Sequence, residues 1–197
     1  IRKTKMFFDD RHAFMTQLAK EIRAGVKLAA KTTLKLAIRL NLTSDIRWEC
    51  MPITQETTSL LTAGERGTLT YPNLMLMFPD VQFYDYTKIP NRRNLPDNYH
   101  LTFSRSESND ADMDAKLLTT ENIAVVFSTK KGKPLPSTYR GRPAIDGDLH
   151  DLRFLDPTSV IVGLRAKGEA KSGSHGGFVV DASPCGALYQ IEMFDHV

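Results

Sequence analysis

The sequence predicts an α/β fold with a mainly parallel sheet, arranged as a partial or complete (β/α) barrel. Three observations carry that expectation. Ile123 to Ser128, IAVVFS, reads as a strand buried on both faces, and Val160 to Lys167, VIVGLRAK, reads as another apolar strand. Helix-like segments and long connections separate the apolar runs, as parallel strands require. Polar and charged residues recur where the runs stop, which is where folds of this class bind ligands.

The 197 residues, 41% hydrophobic and 25% charged, suit one ordinary globular domain and argue against large-scale disorder. Residues 1–180 are expected to form a single α/β domain, and 181–197 a C-terminal tail in which ALYQIEMF can add an edge strand. A net charge of +3 is compatible with a phosphate-bearing partner but falls far short of a dedicated nucleic-acid binder. Cys50 and Cys185 lie far apart without CxxC spacing, so neither a disulfide framework nor a zinc knuckle is indicated and a reduced, cytoplasmic setting is expected. No apolar run approaches the ~20 residues of a membrane span, and no membrane partner is expected.

In chain order, Asp9 and Asp10 precede Phe14, Leu18, Ile22 and Val26 at four-residue spacing, which predicts an amphipathic helix with acids at its positive end. Its basic residues Lys20, Arg23 and Lys27 read as a solvated face, with phosphate binding as the alternative. Leu34 to Leu40 reads as a strand ending in Asn41, Thr43, Ser44 and Asp45. From Arg47 to Tyr71 no clean period emerges, and Gly64 to Gly67 reads as a loop. Leu74 to Phe78 reads as the end of a packed helix closed by Pro79. Val81 to Tyr86 is a strand followed by Thr87 and Lys88. Tyr99 to Ser104 is a strand followed by Arg105, Ser106 and Glu107, and Asp110 to Leu118 a helix. The loop TKKGKPLPSTYRGRP leads to a run ending at Ile145 and an acidic turn. KSGSHGG reads as a hinge, and Gly177 to Val180 as a last short strand.

The strand-end clusters supply the candidate site. Asp45, Asp85, Glu107 and Asp146 are the candidate catalytic acids, able to divide acid and base roles if burial and mutual repulsion separate their pKa values. Arg39, Asn41, Lys88, Arg105 and Lys167 are the candidate substrate and phosphate contacts. Converging carboxylates can also hold Mg²⁺ or Mn²⁺, yet no metal-ligand set is singled out and the cofactor stays open. Asp146-x-Asp148-x-x-Asp151 lacks the spacing and terminal Glu of an EF-hand. Arg153, between Asp151 and Asp156, reads equally as an ion-pair brace. His100 reads as a core residue, His175 as solvent-facing, and His150 as the histidine to test. No GxSxG, Walker loop or HExxH occurs, which lowers the serine hydrolase, P-loop and zincin readings.

With IRKTKMFF, AIRLNLTSDIRWE, FPDVQFYDYTKIPNR, NYHLTFSRSESN, IAVVF and AIDGDLHDLRFLDPTSVIVGLRAKGEA in view, the chain resembles the phage "gene 88 protein" family of mycobacteriophages, other phages and prophages. The resemblance covers most of Ile1 to Val180. It implies that the strand-end residues belong to the family's characteristic motifs, and it assigns none of them a role. It also implies an upstream cysteine-containing segment, resembling a cluster or metal-binding motif, that this stretch does not contain. Leu42 stands where the family pattern has glycine in an Asn-Gly-Thr-Ser-Asp turn, so strain at a positive-φ position is expected there.

The expected function is a phage-encoded enzyme acting on a nucleotide or nucleic acid, with base modification as the reaction class. A base-exchanging transglycosylase would use Asp45 with Asp146 or Glu107, and basic loops at Arg92/Arg93 and Lys130 to Arg142 would track phosphates. Two alternatives stand beside it: a noncatalytic phage protein binding nucleic acid or a host protein, and a radical-type metal-cluster enzyme whose cluster segment lies outside this stretch.

Overall fold

The computed structural model describes residues 2–42, 44–58, 66–171 and 176–182. They divide into two compact units, Ile1–Phe103 with Leu152–Asp156, and Ser104–Asp151 with Pro157–Val197. Strand pairing is mainly parallel within a mixed α/β fold, and among the described residues the strands do not close into a complete barrel. Thr43, Gly64, the KSGSHGG residues 172–175, including His175, and the tail from 183, including Cys185, lie outside the described residues.

The first unit opens with α1 (Arg2–Asp9), which the periodicity did not single out, and α2 (Arg11–Lys31). Asp10 caps α2 by accepting from the Ala13 amide at 2.9 Å, satisfying one of the donors that a helix start leaves open. The helix buries Met15, Ala19 and Ile22, which join Phe7, Trp48, Leu74, Met75 and Phe83 in one apolar core. The strand expected over Leu34 to Leu40 narrows to β1 (Ala37–Arg39). The unpatterned stretch folds as an antiparallel hairpin of β2 (Ile53–Thr58) and β3 (Arg66–Tyr71), with Ile53 opposite Tyr71. Arg66 and Gly67, read from the sequence as loop, therefore belong to β3. Asn73 caps the short α3 (Leu74–Met77) through the Leu76 amide at 2.9 Å. β4 (Gln82–Thr87) and β5 (Tyr99–Ser104) complete the unit's strand order β1, β4, β5, all parallel.

The second unit holds α4 (Asp110–Leu117), β6 (Ile123–Phe127), a two-residue β7 (Thr138–Tyr139), β8 (Arg142–Asp146), β9 (Ile161–Arg165) and β10 (Val179–Val180). β6 pairs parallel with β9 and β10, β9 parallel with β8, and β7 antiparallel with β8. Ile123, Val125, Phe127, Ile161 and Val162 are fully buried, as runs apolar on both faces demand. Gly163 in β9 permits a close approach, since a Cβ there would sit 3.2 Å from the Ile145 carbonyl oxygen. No helix among the described residues is long and apolar enough to cross a membrane.

The strain expected at Leu42 is absent. The described non-glycine residues with positive φ are Thr33, Asn94, Arg140 and Ser159. Leu42 instead takes an ordinary backbone conformation and turns its side chain outward, 77% exposed, so neither strain nor a crowded interior follows.

Candidate functional site

Parallel pairing of β1 with β4, Arg39 opposite Tyr84, delivers the residues after both strands to the same end. There the Asp85 carboxylate is fully buried. Its Oδ1 accepts from the Asn41 amide at 2.6 Å, and its Oδ2 from the Tyr99 hydroxyl at 2.8 Å and Asn41 Nδ2 at 3.4 Å. Burial is the dominant influence and pushes the Asp85 carboxyl up to about 6, against the lowering effect of those bonds and of the Arg39 and Arg92 charges. Asn41 is itself fastened from the other side. Its Oδ1 accepts from Trp48 Nε1 at 2.9 Å, Ser44 Oγ at 2.9 Å and the Ile46 amide at 3.1 Å.

Tyr99 carries the network onward. Burial first, and then the Asp85 charge, push its hydroxyl upward, so it stays protonated and donates to Asp85 while accepting from Arg92 Nη2 at 3.2 Å. The Arg92 side chain is 1% exposed and forks onto Glu49, with Nε donating to Oε1 at 3.0 Å and Nη2 donating to Oε2. Burial raises the Glu49 carboxyl, but the Arg92 fork outweighs it and holds the group below the usual range. Arg92 Nη1 also reaches Asp45 Oδ1 at 3.5 Å.

Asp45 is the outermost member. Thr87 Oγ1 donates to its two oxygens at 2.8 and 3.1 Å, and the Lys88 amide donates to Oδ2 at 2.6 Å. Its side chain remains 27% exposed. Lys88 is exposed, and the Arg39 guanidinium lies 4.7 Å from the Tyr86 ring centre while its Nε donates to the Asn41 carbonyl at 3.2 Å.

The second unit has its own polar cluster where β8 and β9 end. Arg165 donates to Asp146 from Nη1 at 2.8 Å and Nη2 at 2.9 Å, to Asp148 from Nη1 at 3.0 Å, and to the Lys133 carbonyl at 2.8 Å. Lys167 Nζ adds a 2.9 Å contact to Asp148. The Arg165 bonds hold Asp146 below the usual carboxylate range. For Asp148, burial works upward but the Lys167 and Arg165 bonds prevail.

Of the candidate residues, Arg39, Asn41, Asp45, Asp85 and Lys88 thus share the first cluster, and Asp146 and Lys167 the second. Arg105 is committed elsewhere: Nε and Nη2 donate to Asp110 at 3.0 and 3.4 Å, and Nη1 donates to the Gly177 and Phe178 carbonyls. Glu107 is exposed. Arg92, grouped from the sequence with Arg93 as a basic loop, is buried while Arg93 is exposed. His150 is exposed, and His100 is half-buried, with burial the main cause of a lowered imidazole pKa. Glu49, Tyr99 and Arg165 are functional candidates that pattern reading missed. Glu49 follows a tryptophan two residues past Arg47, and Arg165 is a charge inside an apolar run, which is the signal each offered. Among the described residues, no three His, Cys, Asp or Glu side chains gather to hold a metal ion.

The family model described as "Gene product 88" matches residues 1–187. No curated protein and no solved structure matches the chain.

Proposed function

We propose that this chain, which belongs to the Gene product 88 family, is a phage enzyme acting on a nucleotide or nucleic acid in the host cytoplasm, with Asp45 as the carboxylate that meets the substrate. One observation carries the reading: Asp45 is aimed by Thr87, the Lys88 amide and Arg92, yet keeps 27% of its side chain open. A carboxylate fixed by donors and still reachable suits a general base or nucleophile, the groups that base modification needs. Asp85, fully buried, is a positioning residue that fixes Asn41 and Tyr99. Lys88 and Arg39 supply cationic contacts for phosphate at the same strand ends.

The test is a mass-spectrometric screen of nucleosides, nucleotides and DNA incubated with wild type and with Asp45→Asn. The reading expects a mass change with wild type that falls at least a hundredfold in the variant at unchanged melting temperature. The same change from both proteins, or none from the wild type with any substrate, overturns it. A noncatalytic nucleic-acid binder remains the second reading, favoured by the exposed Lys130, Lys131 and Lys133 of the basic loop.

A further inference from the structure

Charge is unevenly spread along the chain. The first 35 residues contain nine of the 26 Lys and Arg residues and only three of the 23 Asp and Glu residues, so the rest of the protein is net acidic. Within that segment, Lys20, Lys27 and Lys31 recur at helical spacing on α2 and all are exposed. They project from the side of the helix opposite Met15, Ala19 and Ile22, which are buried. Thr16 and Ala24 share the lysine side, so small residues leave the row unobstructed. Glu21 lies off the row and accepts from Gln17 Nε2 at 3.2 Å. Arg23, at the row's border, is drawn away to Gln55 and sits 5.7 Å from the Phe78 ring centre.

From these features we infer that the lysine row of α2 is a docking surface for the phosphate backbone of double-stranded nucleic acid. Lys20 to Lys31 span about 16 Å at the ~1.5 Å rise of a helix. That length covers about five base-pair steps of duplex axis at ~3.4 Å each, enough for each lysine to meet a phosphate. Lysine ammonium groups on flexible stems reach phosphates as point charges, without the planar fork that reads guanine. The row presents no aromatic ring on which an unpaired base would stack, which favours a duplex over a single strand. Met15, Ala19 and Ile22 of α2 are consumed by the core, so the helix keeps only Val26 and Leu28 as exposed large apolar side chains, too narrow a face for a lipid interface. Recognition here is therefore of backbone and independent of sequence. The inference rests on charge and helix geometry, not on Asp45, so it stands or falls apart from the enzymatic reading.

The experiment is fluorescence anisotropy of two unrelated labelled DNA duplexes across a salt series, using the full chain and the triple variant Lys20→Ala/Lys27→Ala/Lys31→Ala. Both duplexes should bind wild type with similar affinity. The triple variant should bind at least tenfold more weakly at low salt, with a log–log salt slope shallower by about 2 to 3, near 0.9 for each lost contact. Alanine is a strong helix former, and a glutamine triple variant repeats the test if the first is unstable. Unchanged affinity in a folded triple variant, no duplex binding at low salt, or tighter binding to single strands or anionic vesicles would each overturn the inference.

Discussion

Two polar networks occupy the carboxyl ends of parallel strands, one in each unit, and they are assembled in opposite ways. Around Asp85 the carboxylate is dry, its direct partners are the neutral Asn41 and Tyr99, and its pKa rises. Around Asp146 the carboxylate keeps contact with water, its main partner is the Arg165 fork, and its pKa falls. The first arrangement places groups rigidly at a desolvation cost, since a buried polar group tolerates few alternative positions. The second braces a turn and gives little net stability, as partly solvated ion pairs do. A strand end rich in acids is thus not one kind of feature, and burial decides which kind it is.

The widest gap between the two networks should appear on removing each arginine. Arg92→Ala leaves Glu49, whose side chain is 3% exposed, with only the 3.4 Å contact from the half-exposed Arg47 as an ion-pair partner, and takes the bond that Tyr99 accepts. The expected loss is about 3 to 5 kcal/mol in urea unfolding, nearly independent of salt. A loss below about 1 kcal/mol would break the contrast by showing that water reaches Glu49. Arg165→Met should cost only about 1 kcal/mol, shrinking further in high salt, because Asp146 and Asp148 can turn to solvent. Equal losses for both variants would erase the distinction between site and brace.

Much of this was legible in the sequence, for physical reasons particular to each part. Tyr99 to Ser104 was bounded correctly as a strand because its alternation stops at Arg105, where the chain turns. Asn41 and Asp45 stood out because polar groups directly after an apolar run lie at a strand end, and Asp85 because it is a charge near the end of the run Val81 to Tyr86, inside β4. Arg92 was not legible as a buried residue. Beside Arg93 it has the composition of a solvated loop, and what turns it inward are Tyr99 and two carboxylates far away in the chain, Glu49 and Asp45. The hairpin of β2 and β3 was hidden because ITQETT and RGTLTY carry polar residues on both faces, leaving no period to detect. Leu42 misled in the other direction, since a family glycine suggests positive φ that this backbone does not adopt.

The contrast is tested most directly by urea stability against pH for wild type, Asp85→Asn and Asp146→Asn. Asp85 has a folded pKa of about 6, above its value of 3.8 in an open chain. Its contribution is therefore fully present below about pH 4 and is lost as pH rises through 6. Wild type should lose about 3 kcal/mol relative to Asp85→Asn across that window, at about 1.4 kcal/mol per pKa unit. Asp146, held below its usual value, contributes above the ordinary carboxylate range and loses that contribution as pH falls. The account predicts difference curves of opposite slope for the two variants; curves that slope the same way would contradict it.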